Sequence, residues 1–198
     1  MAKLIELNED YINNVDMKAL LQYVEWNANS EFFTADAGKE HYKLLAYLSI
    51  VLGESFYVDI GTFYGFSSVA LSANPKSTVV TFDVCDWVSD DEPVSFKTKS
   101  NVQFKIMDCV NDMTEIVKTK LVVLDIDPHD GVEEVRILDA LRAHGYKGLV
   151  VLDDINLNAE MKKFWNDIPE KKYDVSKFGH WSGTGIVVFD PDTIDVTF

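Results

Sequence analysis

Apolar residues in this chain fall into short unbroken runs separated by longer stretches with helical spacing. Tyr57, Val58 and Ile60 form the first run, residues 77–82 the second, and residues 102–107 alternate as a third. Leu121-Val-Val-Leu124 and Leu149-Val-Val-Leu152 contain no polar position, as expected of parallel strands covered on both faces. Between the runs the period lengthens. Residues 11–27 place Val15, Leu20, Leu21, Val24 and Trp26 at helical intervals. Asp36 is positioned to cap a helix reaching Leu52, with Leu44, Leu45, Leu48 and Leu52 on one stripe and Gly53 as its stop. Ser67 and Ser68 open a further helix that carries Val69, Ala70 and Leu71 and ends near Asn74-Pro75. Residues 132–143, with Val135, Leu138 and Leu141 on one face, and residues 161–165 complete the helical set. Strands alternating with helices predict an α/β fold with a doubly wound, mostly parallel sheet. The last two strands, residues 173–178 and 185–189, are joined by Gly-His-Trp-Ser-Gly-Thr. That segment is too short for a crossover, so an antiparallel hairpin closes the sheet.

A chain of 198 residues is long enough for one well-buried domain and short for two. Residues 1–35 are expected as a helical lid or cap, and residues 36–198 as a cofactor-binding core. Charge narrows the partners: 18 basic against 33 acidic residues leave a formal −15, which opposes attraction to phosphate backbones or anionic lipid. Neither nucleic acid nor a membrane is expected. Cys85 and Cys109 lie outside any C-x-x-C pattern and read as reduced core cysteines. The first residues lack the apolar run of a signal peptide, and a cytoplasmic location is the default expectation.

Candidate chemistry gathers where the strands end. In Tyr57-Val-Asp-Ile-Gly-Thr-Phe-Tyr-Gly-Phe-Ser-Ser68 a strand reaches Asp59, turns on Gly61 and Gly65 and enters a helix whose first amides face the crevice. Asp83 ends the next strand 22 positions after Gly61, a spacing at which an acid can hold ribose hydroxyls. Trp87 can stack on an adenine, but reads more simply as a plug at the rim of the core. The acidic cluster Asp90-Asp91-Glu92 before Pro93 belongs to a surface loop or short helix without chemistry. Asp108 ends the third strand, Asp125-Ile-Asp127-Pro-His-Asp-Gly131 the fourth, and Asp153-Asp154 the fifth. Such aspartates can cap helices, or can bind a divalent cation such as Mg²⁺ or Mn²⁺. His41 and His144 sit in helical patterns and look structural.

This order of features resembles the class I S-adenosylmethionine-dependent methyltransferases over about residues 36–190. It is most similar to the metal-dependent catechol type and the related bacterial small-molecule O-methyltransferases. The carrying motif is Asp59-x-Gly61-x-x-x-Gly65-Phe-Ser67, which departs from the G-x-G-x-x-G of nicotinamide proteins. The resemblance implies a Rossmann-like sheet of seven strands whose last strand enters antiparallel. It also implies that Asp59, Gly61, Thr62, Phe63, Gly65 and Ser67 cradle the methionine part of S-adenosylmethionine. Asp83 would hold the ribose, Asp108 would lie near the adenine, and Asp125 would adjoin the cofactor. Asp125, Asp153 and Asp154 would bind Mg²⁺ or Mn²⁺ beside a small-molecule hydroxyl substrate. Where the catechol type has a lysine base this chain has Pro128, which leaves His129 or His180 as the proton acceptor. A metal-independent methyltransferase, a glycosyltransferase using Asp125 and Asp127, and a non-catalytic cofactor-binding module stay open, as does a homo-oligomer.

Overall fold

The computed structural model describes residues 2–88 and 94–198, so the acidic cluster and Pro93 lie outside the described residues. The strands are β1 Lys3–Glu6, β2 Phe56–Ile60, β3 Thr78–Asp83, β4 Val102–Ile106, β5 Leu121–Leu124, β6 Leu149–Leu152, β7 Lys171–Asp174, β8 Gly185–Val188 and β9 Ile194–Thr197. Seven of them form one sheet in the order β4-β3-β2-β5-β6-β8-β7. It is parallel from β4 to β6, and β8 then runs antiparallel to both β6 and β7. The expected α/β sheet with its closing hairpin is therefore present. Residues 176–178, expected to prolong the first strand of that hairpin, instead form a 3₁₀ turn. A second sheet was not anticipated: β1 pairs in parallel with β9, each only four residues long.

The order of strand addition reverses at the β2/β5 boundary, since β3 and β4 lie to one side of β2 while β5 and β6 lie to the other. Such a switch point opens a crevice at the carboxyl ends of its strands. Here Ile60 pairs with Leu124, and the Asp125 N–H donates to the Ile60 carbonyl at 3.0 Å. Two residues distant in sequence, Gly61 and Asp125, thus emerge side by side.

The helices are α1 Glu9–Asn13, α2 Lys18–Leu21, α3 Tyr42–Leu52, α4 Phe66–Leu71, α5 Met113–Ile116, α6 Val132–Ala143 and α7 Ala159–Asp167. Alternate strand residues feed two cores. Tyr57, Val79, Val123, Val151 and Ile186 face α3, α4 and the N-terminal segment. Val58, Val80, Val122, Val150 and Val187 face the side covered by α6 and α7. Leu44, Leu45 and Leu48 of α3 are fully buried, worth roughly 2 kcal/mol each from burial alone.

Three helical expectations change. Residues 11–27 form two short helices and turns, because Asn14 ends α1 and the Asp16 carboxylate accepts the Lys18 N–H at 3.0 Å, local bonds that compete with a continuous ladder. Asp36 caps nothing: it pairs with Lys43 Nζ at 2.8 Å, and His41 occupies the N-cap of α3. On α6 the buried face is Glu134, Ile137, Leu138 and Leu141, whereas Val135 is exposed. Ile12, Val24 and Phe33 share a core with α3, so residues 2–35 are packed into the body of the fold. Among the described residues, no helix is long and apolar enough to cross a membrane.

Candidate functional site

Gly61 leaves β2 with φ of 98°, and a Cβ there would lie 1.6 Å from the Asp125 carbonyl oxygen. Only glycine permits so close a passage. Gly65 also has positive φ, 79°, but its missing Cβ makes room for the Phe96 ring, 2.2 Å from where that atom would stand. Between them Phe63 adopts φ of 44°, and its N–H donates to Asp83 Oδ2 at 3.0 Å while Asp83 Oδ1 accepts from Cys85 N–H at 3.0 Å. The loop after β2 is thereby tied to the end of β3.

Around this loop lies a cavity of about 520 Å³, walled by Ile60, Phe82, Met107 and Ile137 and edged by Gly61, Phe63, Asp83, Asp108, Asp125 and His129. Trp87 belongs to the same wall: it is 53% exposed and meets Phe63 edge-on at 5.7 Å, so it does not plug the core. Arg136, which sequence reasoning passed over, pairs with Asp108 at 3.1 Å, and that pairing with the Val110 N–H keeps the Asp108 pKa low despite some desolvation.

Asp59, Thr62, Gly65 and Ser67 lie behind the wall and do not line the cavity. Asp59 is fully buried, and its Oδ2 accepts from Ser68 Oγ at 2.5 Å and Thr81 Oγ1 at 2.9 Å. With its proton given to Asp59, Thr81 Oγ1 can only accept from Thr62 Oγ1, 2.6 Å away. Burial pushes the Asp59 pKa up to about 6 against the opposing pull of Ser68 and Thr81. These residues brace the loop from beneath.

A second cavity of about 300 Å³ lies on the other side of Asp125, which lines both. Glu40, His41, Asp153, Asp154 and His180 supply its polar face, and Asn29, Phe32, Tyr42 and Phe66 the rest. His41 Nδ1 stands 3.3 Å from Asp153 Oδ1 as a buried ion pair, and neither atom has a hydrogen-bond partner elsewhere among the described residues; the other ring nitrogen, Nε2, lies 3.3 Å from Ser67 Oγ. His180 Nδ1 is 3.3 Å from Asp154 Oδ1 and 3.5 Å from Asp153 Oδ2, and its Nε2 is 3.5 Å from Glu40 Oε2. Ser182 Oγ donates to Asp154 Oδ1, leaving its lone pairs for an N–H from His180 Nδ1 at 2.5 Å. His129 Nε2 lies 3.5 Å from both Asp127 and Asp154, with its ring in the wall of the first cavity.

Electrostatics follow from this crowding. Desolvation works to lower the His41 pKa, but the charge of Asp153, then Asp125, overrides it and raises the pKa to about 9. His180 is pushed up to about 10 in the same way, with burial outweighed by Asp154, Glu40 and Asp153. Asp125 moves the other way from a normal carboxylate, up to about 8, because it is buried and then repelled by Asp153. Asp154 stays below the usual range, since His180 and Ser182 more than offset its burial.

Two sets of side chains bring ligand atoms within 4.8 Å of one another: His41, Asp125 and Asp153, and Asp153, Asp154 and His180. All three sequence-predicted metal acids line one cavity and meet through Asp153, which belongs to both sets, and the first set adds a histidine that had looked structural. Three of the non-glycine residues with left-handed φ, Phe63, His129 and Asp154, line these cavities, which is where backbone strain commonly collects. Glu40, His41 and Tyr42 could have been suspected from their position at the start of a helix leading into β2; Asn29 and Phe32 carried no signal.

No protein-family profile and no curated protein sequence matches the chain. Solved structures do. An O-methyltransferase from Bacillus cereus in complex with SAH is 15% identical with a TM-score of 0.55, over 91% of this chain and 96% of that one. The SAH-bound Podospora anserina methyltransferase PaMTH1 is 14% identical with a TM-score of 0.57, over 95% and 99%. The O-methyltransferase TomG from Streptomyces achromogenes, involved in tomaymycin synthesis and solved with SAM, is 17% identical with a TM-score of 0.55, over 91% and 95%. The chain has the fold of the class I S-adenosylmethionine-dependent methyltransferases, as its sequence resemblance implied.

Proposed function

We propose that this protein transfers the methyl group of S-adenosylmethionine to a hydroxyl oxygen of a small molecule, assisted by a divalent cation. The observation that carries this reading is Asp125, which separates and lines two cavities of different character. The larger has the volume of a pocket for a drug-sized molecule and a mostly apolar wall. Its Asp83 carboxylate still has lone pairs to accept ribose hydroxyls, and Phe63 and Trp87 offer ring faces to a base. The SAM- and SAH-bound neighbours support the same cofactor.

The smaller cavity would receive the acceptor. Its fit to a cation rests on the buried, ion-paired His41 Nδ1 and Asp153 Oδ1, which have no hydrogen-bond partner elsewhere among the described residues and belong, with Asp125, to a set whose ligand atoms lie within 4.8 Å of one another. Asp125, Asp153 and Asp154 are the acids proposed to hold the ion. When bound, a divalent cation lowers the proton affinity of an acceptor hydroxyl and orients it. The protein's own part is to bring cofactor and acceptor together across Asp125 and to exclude water behind Phe32, Tyr42 and Phe66. His180, beside Asp153 and Asp154, and His129, across the wall, are the groups proposed to receive the acceptor's proton.

The test is S-adenosylhomocysteine formation from S-adenosylmethionine over a panel of small hydroxyl compounds, before and after chelation and with metal restored. Turnover that ends on chelation and returns with metal is expected. Full turnover after thorough chelation removes the cation from the reading. Calorimetric heat from a nucleotide sugar and none from S-adenosylmethionine defeats the reading entirely.

A further inference from the structure

We propose that the cation is held through a nitrogen ligand, His41 Nδ1, together with Asp125 and Asp153, and that the site consequently selects Mn²⁺, Fe²⁺, Co²⁺ or Zn²⁺ over Mg²⁺. This rests on the cation-assisted reading above and replaces an all-oxygen ligand set with a mixed one.

Side-chain partners separate the two candidate sets. In the set containing Asp154 and His180, the ligand atoms already have partners: Asp154 Oδ1 accepts from Ser182, and His180 bonds with Ser182 and faces Glu40. In the set containing His41, its Nδ1 and Asp153 Oδ1 are buried ion-pair partners 3.3 Å apart, and neither atom has a hydrogen-bond partner elsewhere among the described residues. Adjacent ligands at about 2.1 Å from one ion stand about 3.0–3.4 Å apart, so this separation suits two donors sharing a metal. A void of about 300 Å³ leaves room beside them for an acceptor oxygen.

Ser67 supplies the remaining requirement. His41 can ligate through Nδ1 only if its proton resides on Nε2, and Nε2 lies 3.3 Å from Ser67 Oγ, which can accept it. Such a bond to the far ring nitrogen both orients a histidine ligand and sets its tautomer. Ser67, expected to help cradle the methionine part of the cofactor, becomes a positioning residue for the metal ligand, and because it lies on α4 it links the cofactor loop to the cation. Imidazole favours first-row transition ions and zinc, whereas Mg²⁺ prefers oxygen ligands in a near-ideal octahedron.

Metal-free protein saturated with S-adenosylhomocysteine is titrated by calorimetry with Mn²⁺, Zn²⁺ and Mg²⁺, and the Mn²⁺ form is read by pulsed electron paramagnetic resonance for ¹⁴N coupling. Wild type is expected to bind Mn²⁺ at least about 30-fold more tightly than Mg²⁺ and to show imidazole ¹⁴N modulation. The modulation should vanish in His41→Ala and persist in His180→Ala. Ser67→Ala, which keeps the ring, should weaken Mn²⁺ by about tenfold. S-adenosylhomocysteine affinity reports whether each variant remains folded, and if His41→Ala does not fold, the wild-type modulation together with Ser67→Ala decides. Bound Mn²⁺ without ¹⁴N coupling, equal affinity for Mn²⁺ and Mg²⁺, or modulation lost only in His180→Ala overturns the nitrogen ligand and leaves cation-assisted methyl transfer standing. Failure to bind any of the three ions while S-adenosylhomocysteine still binds overturns both.

Discussion

On the β3 side of Asp125, the cavity wall comes largely from apolar strand ends, and its acids are already engaged: Asp83 with two loop amides and Asp108 with Arg136. On the β6 side, carboxylates and histidines crowd a smaller space, and two buried ligand atoms, His41 Nδ1 and Asp153 Oδ1, have only each other as partner. The first region is preorganised; its loop holds its shape through the protein's own hydrogen bonds, and a ligand adds to a finished surface. In the second, four acids face two histidines, so a cation or an acceptor has charge to meet there. The contrast suits a transfer enzyme, in which one partner must be held before the other is activated.

Four changes would break or sharpen this contrast. The greatest effect is expected from Gly61→Ala, because the new Cβ would meet the Asp125 carbonyl at 1.6 Å with φ unfavourable as well. It should collapse both cavities together, costing about 3 kcal/mol or more in denaturant unfolding and abolishing S-adenosylhomocysteine binding. Asp153→Asn, by contrast, touches only the acceptor side. Methyl transfer should fall on the order of 100-fold while calorimetric affinity for S-adenosylhomocysteine stays within about threefold. If cofactor affinity collapsed too, the two regions would not be separable.

Beneath the loop, Asp59 has a folded pKa of about 6 against an unfolded value near 3.8. A raised pKa contributes stability that is full below the unfolded value and is lost as pH rises through the folded one. The stability of wild type relative to Asp59→Asn should therefore improve by about 2 kcal/mol from pH 7 to pH 4.5, measured as paired urea melts. A flat difference would mean that Asp59 does not carry this charge penalty. The smallest effect is expected at Trp87, which is more than half exposed. Trp87→Ala should leave the melting temperature unchanged and weaken S-adenosylhomocysteine by about fivefold through lost ring contact, without altering turnover at saturation.

How much of this was legible in the chain depends on how far apart the cooperating residues lie. The loop from Asp59 to Ser67 was readable because its requirements are local: a strand, two glycines and a helix within a dozen positions, with Asp83 one unit further on. Even there the role of individual residues was not readable. Gly65 clears Phe96, Ser67 faces His41, and Asp59 and Thr62 are braces, since burial and partner choice depend on what packs behind the loop. The acids of β5 and β6 were legible as strand-end polarity, but His41 was legible only as a residue at the start of the helix leading into β2, because nothing in a helical pattern reveals which strand end its cap will meet.

Determined by the sequence itself were the alternation of strand and helix, the closing hairpin, the cofactor-type loop and the positions of the strand-end carboxylates, all set by short-range periodicity and turn chemistry. The tertiary structure decided that β2 and β5 lie side by side, that Asp125 therefore divides two cavities, that residues from the N-terminal third cover one of them, and that His41 and His180 join the acids there. These depend on strand order and helix packing, which arise from the burial of two cores at once and have no signature in any single stretch of chain.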